Sequence, residues 1–307
     1  VHLSSMVLTL FSFLLTCLLV LICVSFYTLF ERKVLGLAHL RLGPGVVSIF
    51  GLFQPFADGL KLFCKRIRIV QIWSFILYFV RPCALLIISF GYLVFWEGKN
   101  LSPSFSYSVL GFLTLLIIRS YPSIFVGWSR TSEWALLGAV RNVAIIVSFE
   151  VGLSFLIIRL CILYSSCCFW VVVYINSVLV LMTIPWCLLW LIRVVSELNR
   201  TPFDIGEAER ELVSGLNIEY SGGGFSLLFI SEYSNMIFIR LLRSCLILRR
   251  GLHTGLCLRW GSFILFTLIW LRVRLPRVRY DKLIMLFWLI IVPLVLLLTL
   301  FHAWGVI

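Results

Sequence analysis

The first apolar run, Leu3 to Phe30, contains no Asp, Glu, Lys or Arg. A helix of that length outreaches the hydrocarbon core of a bilayer, about 30 Å thick. Hydrocarbon offers no partner to backbone N–H and C=O groups, so only helices or closed barrels cross it. Runs this continuous suit helices rather than the alternating strands of a barrel. The run is too long for the apolar part of a signal peptide and lacks a basic start and a small-residue cleavage site. It is therefore expected to stay as a span. Composition agrees: 62% of residues are hydrophobic and 13% charged, against about 25% charged in soluble domains.

The expected fold is all-α: a polytopic membrane protein with eight transmembrane helices, an amphipathic interfacial helix and folded loops on one side. The spans are placed at about 3–30, 70–96, 105–126, 135–160, 168–192, 224–248, 255–273 and 283–304, within a single membrane domain of residues 1–307. Most arginines and lysines then fall in the first, third, fifth and seventh connections. The positive-inside rule puts those connections in the cytoplasm or matrix and both termini opposite. The formal charge of +13 follows from that asymmetry and does not point to nucleic acid.

One apolar segment, residues 46–66 (VVSIFGLFQPFADGLKLFCKR), differs from a span. Gln54, Asp58, Lys61 and Lys65 recur at steps of four, three and four, forming one polar stripe. Ile49, Phe53, Phe56, Leu60 and Phe63 lie elsewhere around the wheel. This pattern predicts a helix in the interface plane, past which an amphiphile could slide.

The acids are placed unevenly. Glu150 and Glu232 fall deep in the fourth and sixth spans, where a carboxyl is expensive and marks a proton or ion path. Arg141 shares the fourth span with Glu150 but lies half a turn out of phase, so direct pairing is not expected. The connection 193–223 gathers Glu197, Asp204, Glu207, Glu209, Glu211 and Glu219, six of the thirteen acids in the chain. Pro202, Phe203, Ile205, Leu212, Val213, Leu216 and Ile218 punctuate them. A free loop has no need of that apolar content, so a folded, partly buried connection is expected, with carboxylates close enough to couple. A lone ion transporter could use such acids. Paired halves with broken spans at matching positions, the mark of many secondary transporters, are not evident. The ten cysteines include no C-x-x-C pair and read as small core residues; the four histidines lack ligand spacing, so no metal is expected.

Six collinear stretches carry a resemblance: ERKVLGLAHLRLGPG (31–45), GLFQPFADGLKLF (51–63), GWSRTSEWALLGAVRNVAIIVSFEV (127–151), ELNRTPFDIGEAERELVSGLNIEY (197–220), ISEY (230–233) and LPRVRYDKLI (275–284). Together they resemble the family of subunit 1 of NADH–ubiquinone oxidoreductase, respiratory complex I, in its mitochondrially encoded form. The resemblance implies a multi-pass protein of the mitochondrial inner membrane with its long loops in the matrix. It implies ubiquinone as substrate and no group bound covalently, with FMN and iron–sulfur clusters only in partner subunits. It also implies contacts with the quinone-site subunits of the peripheral arm, with neighbouring membrane-arm subunits and with lipid. By the same resemblance Glu31, Arg32, Arg41, Phe53 and Asp58 line or support a quinone chamber, and Arg200, Phe203 and Arg279 belong to it. Glu197, Asp204, Glu207, Glu209 and Glu211 face it, while Glu150, Glu219 and Glu232 begin a proton path. Where the family has E-G-E-S-E, this chain has Glu207-Ala208-Glu209-Arg210-Glu211, with a cation among the acids. The related membrane subunit of membrane-bound hydrogenases is the nearest alternative.

Overall fold

The computed structural model describes residues 2–66, 75–97, 107–129, 133–164, 166–168, 189–192, 195–196, 201–203, 220, 222–247 and 254–305. Its elements, all helical, are α1 (His2–Ala38), a 3-10 turn (Ile49–Gly51), α2 (Gln54–Cys64), α3 (Phe75–Glu97), α4 (Ser108–Ile118), α5 (Tyr121–Ser129) and α6 (Glu133–Tyr164). After the acid-rich connection come α7 (Gly222–Ile247), α8 (Thr254–Arg274), α9 (Tyr280–Leu286), a π segment (Phe287–Ile291) and α10 (Val292–Gly305).

α1 runs for 37 residues, about 55 Å, well past the predicted end of the span at Phe30. Glu31, Arg32 and Lys33 read as a membrane boundary, but all three are good helix formers and no Gly or Pro intervenes before Gly36. The helix ends where the amides of His39 and Arg41 turn back to the Gly36 carbonyl, at 3.1 and 2.9 Å. α2 is shorter than the segment 46–66 that the polar stripe suggested. Pro55 sits in its first turn, where a missing N–H costs nothing, and it forbids helix immediately upstream.

The predicted third span divides into α4 and α5 at Arg119-Ser120. Pro122 explains the break, since its ring opposes the carbonyl four residues back and it donates no hydrogen bond. A second proline, Pro293, follows the π segment, in which the Val292 amide reaches back to the Phe287 carbonyl. One widened turn there absorbs the bond that Pro293 cannot make.

Four helical stretches among the described residues are long and apolar enough to cross a bilayer: Val7–Ala38, Ser108–Phe125, Leu136–Arg159 and Tyr280–Leu300. Phe79–Val94 is a shorter apolar helix. The fifth predicted span, 168–192, lies mostly outside the described residues.

α7 is the central element, packed against α3, α8, α2 and α1, while α6 packs on α5 and α10. Ser226, Ser231 and Ser234 are buried on α7, each hydroxyl donating to the carbonyl three residues back at 2.7–2.9 Å. Small residues that satisfy their own polar groups let neighbouring helices approach closely without a hydrophobic driving force. Tyr92, Phe112 and Phe238 stack at the centre, joining α3, α4 and α7. The outer faces are apolar: Leu8, Phe11, Leu14 and Leu18 of α1 are all exposed, as a lipid-facing helix requires. Lipid also corrects the expectation for cysteines, because Cys23, Cys64 and Cys83 are exposed rather than core. In hydrocarbon an apolar side chain gains little by turning inward.

Candidate functional site

Glu31 is 5% exposed and stands between α1, α7 and α8. The Tyr233 hydroxyl donates to its Oε2 at 2.8 Å, and the Arg272 guanidinium pairs with its Oε1. Tyr27, one turn before Glu31, meets the Tyr233 ring edge-on at 5.6 Å between centroids. A carboxylate at such depth persists only when its charge and lone pairs are met, and here a cation and a phenol meet them. Beside it lies a cavity of about 20 Å³ lined by Tyr27, Glu31, Val195, Thr201, Met236 and Arg272, among others. That is room for about one water. The buried Thr201 Oγ1 lines the same space and finds no hydrogen-bond partner among the described residues.

One residue further on, Arg32 leaves the bundle and pairs with Asp58 of α2, which also accepts from Gln54 Nε2 at 3.0 Å. The polar stripe of α2 thus turns toward α1, while Phe53, Phe56, Leu60 and Phe63 are exposed. The Phe26 ring reaches Phe56 at 6.1 Å. The far end of α2 meets the start of α7. A Cβ on Gly222 (φ +58°) would fall 2.7 Å from the Lys65 carbonyl oxygen, so only glycine allows this approach.

Both ends of the acid-rich connection are anchored in the bundle. At its start, Val195 and Ser196 are buried. The Pro202 carbonyl accepts from the Val278 amide at 3.0 Å, and Phe203 lies 6.5 Å from Phe149 and 6.3 Å from Phe287. Phe149 and Phe287 are themselves 4.2 Å apart, and the next residue after Phe149 is Glu150. At its close, Tyr220 is buried under the Arg81 guanidinium, 5.6 Å above the ring. A cation over an aromatic face in a desolvated site is worth about 2 kcal/mol.

The predicted site residues therefore divide. Glu31 belongs to a buried node instead of an open wall, and Arg32 and Asp58 form the pair that docks α2. Phe53 is exposed at the start of α2, and Arg41 is exposed just beyond α1. Glu150 and Glu232 are half-buried on α6 and α7, with Glu150 Oε1 sealed from solvent. Arg141 lies over the Tyr280 ring at 5.7 Å, and Arg279 pairs with Asp281 at 3.2 Å on an exposed turn. Glu197, Arg200, Asp204, Glu207, Glu209, Glu211 and Glu219 lie outside the described residues. Sequence reasoning passed over Arg272, counting it only toward membrane orientation, and over Tyr27. The one available signal was the spacing of Tyr27 and Glu31, four apart and so on one helix face. Among the described residues no group of three or more His, Cys, Asp or Glu could hold a metal ion.

Long apolar helices enclosing a paired carboxylate, with an acid-rich connection pinned beside it, define an all-helical membrane protein built to keep charge inside its bundle. A family model described as NADH dehydrogenase matches residues 11–303, and the chain belongs to that family. It is 40% identical over 287 residues to NADH-ubiquinone oxidoreductase chain 1 of Locusta migratoria, covering 92% of this chain and 91% of that one. The protein of the same name in Aedes aegypti is 37% identical, with 94% and 92% covered, and that in Myxine glutinosa is 37% identical, with 94% and 93% covered.

Proposed function

We propose that this chain is the membrane subunit of a proton-pumping NADH:ubiquinone oxidoreductase, with eight spans in the mitochondrial inner membrane and its long connections in the matrix. It forms the access route for ubiquinone and links quinone reduction to proton movement through its carboxylates. Family membership supports the enzyme class. The observation that carries the finer reading is the junction of three features at one end of the bundle: the α2 helix with its exposed phenylalanines, the Glu31–Tyr233–Arg272 node, and the anchored ends of the acid-rich connection.

In this reading the isoprenoid tail enters from lipid along Phe53, Phe56, Leu60 and Phe63 of α2. The headgroup passes between α2 and the connection 197–220. Electrons come from an iron–sulfur cluster of a partner subunit, and FMN also belongs to partners. Reduction to the quinol takes two electrons and two protons and briefly changes the local charge. At an effective dielectric near 20, a unit charge about 8 Å away is worth roughly 2 kcal/mol, more than a tenfold change in a neighbour's proton affinity. Asp204, Glu207, Glu209 and Glu211 would feel that charge first and pass it to Glu219, Glu232 and Glu150. Arg210 holds part of the acidic charge in check.

The test is a map of the assembled complex with a quinone-site inhibitor bound. Density between α2 and the connection 197–220 is expected; density elsewhere overturns the access route. The coupling is tested separately by Glu150→Gln with Glu232→Gln in the assembled enzyme. Proton pumping per electron pair should fall to a small fraction while NADH oxidation by an artificial acceptor persists. Intact pumping with intact quinone reduction overturns it.

A further inference from the structure

α6 ends at Tyr164, and Cys161 occupies its last turn. The chain then folds straight back: the Ser166 amide donates to the Cys161 carbonyl at 3.3 Å, satisfying one of the helix-end acceptors. The next residue, Cys167, is fixed from the other side. Its carbonyl accepts from the Val109 amide at 3.0 Å, one of the first-turn donors of α4 that have no partner within their own helix. Two backbone hydrogen bonds thus hold the segment, and they bring the Cys161 and Cys167 thiols into hydrogen-bonding contact. Both sulfurs are unbridged and partly exposed. The site joins neither the Glu31 node nor the acid-rich connection.

We propose that Cys161 and Cys167 are a reversible dithiol/disulfide pair that staples the end of α6 to the start of α4. The oxidant is a low-molecular-weight disulfide. The Cys167 thiolate attacks one sulfur of that disulfide and expels one thiol, leaving a mixed disulfide on Cys167. Cys161 then loses its proton, attacks the Cys167 sulfur and expels the second thiol. Two protein thiols are oxidised to one disulfide, and the small disulfide is reduced to two thiols. The order follows from surroundings: burial first, then the neighbouring Cys167 thiol, pushes the Cys161 pKa up to about 11. At neutral pH Cys161 is a thiol, unfit to begin the exchange but placed to finish it.

On the orientation proposed above, this end of α6 faces away from the matrix. The test does not depend on it. The assembled complex in detergent is reduced, freed of reductant and treated with glutathione disulfide. It is then acid-quenched, alkylated with N-ethylmaleimide and digested with chymotrypsin without reductant. A peptide pair joined through Cys161 and Cys167 is expected, abolished by dithiothreitol. Its formation should quicken about tenfold per pH unit between pH 7 and 9, as the closing thiol gains thiolate character. Recovery of both cysteines as maleimide adducts after oxidation overturns the proposal. So does a bridge from either one to Cys168, or a lasting glutathione adduct on Cys167 beside an alkylated Cys161.

Discussion

Glu31 has two partners of unequal weight, and the difference is measurable. Glu31→Gln keeps a group that can accept from Tyr233 but leaves the Arg272 cation without its counter-charge. Arg272 retains 29% exposure, so the loss stands at the lower end for a broken buried pair, about 2–3 kcal/mol. Tyr233→Phe removes one hydrogen bond to a charged acceptor and leaves the ion pair, costing about 1.5 kcal/mol. Thermal inactivation of the assembled enzyme should show both variants less stable than the parent, with Glu31→Gln the lower. The opposite order would mean that the phenol, not the cation, holds the carboxylate. Glu31 was legible in the sequence as a charge at a helix boundary. Its partners were not, because nothing in periodicity relates residue 31 to residues 233 and 272.

Elements were easier to read than their edges. Apolar runs located the long helices, because hydrocarbon enforces helix wherever the run is long enough. The breaks came from single residues whose effect is local: Pro122 divides one run into α4 and α5, and Pro293 is accommodated by the π segment rather than by a break. The polar stripe of α2 was legible as well. That it faces α1 through Arg32 and Asp58 was not, since a stripe has no address. The glycines of this region give a paired prediction. Gly222→Ala puts a methyl 2.7 Å from the Lys65 carbonyl oxygen at a φ of +58°, so α2 or the start of α7 must shift. The left-handed backbone adds about 1–2 kcal/mol. A methyl on Gly59 meets nothing within 4 Å, and Ala there favours the helix by about 0.5–1 kcal/mol. Hydrogen exchange across 54–64 should accelerate in Gly222→Ala and hold or slow in Gly59→Ala. Equal rates in the two variants would mean that α2 does not depend on the α7 contact.

At the scale of the molecule, the outside is as informative as the core. Leu18 sits midway along the apolar part of α1 and is 57% exposed. Leu18→Arg should cost about 3 kcal/mol of membrane insertion and be seen as a fall in the glycosylation-scored integrated fraction of α1. An unchanged fraction would place that face against protein or water instead of lipid. The acid-rich connection was legible as composition and as a resemblance, and its two ends are now fixed by Phe203 and Tyr220. The Glu31–Arg272 contact has a further consequence, for the order of events on the ribosome. The two residues are 241 positions apart, so α1 is delivered long before α8 exists. Throughout that interval the nascent carboxyl has to wait near the membrane surface, hydrated or protonated, with its cation still untranslated. Bundle closure is therefore a late step in biogenesis, and a chain halted before residue 254 should leave α1 threaded through the bilayer yet undocked, exposed to the quality-control proteases that patrol unfinished subunits.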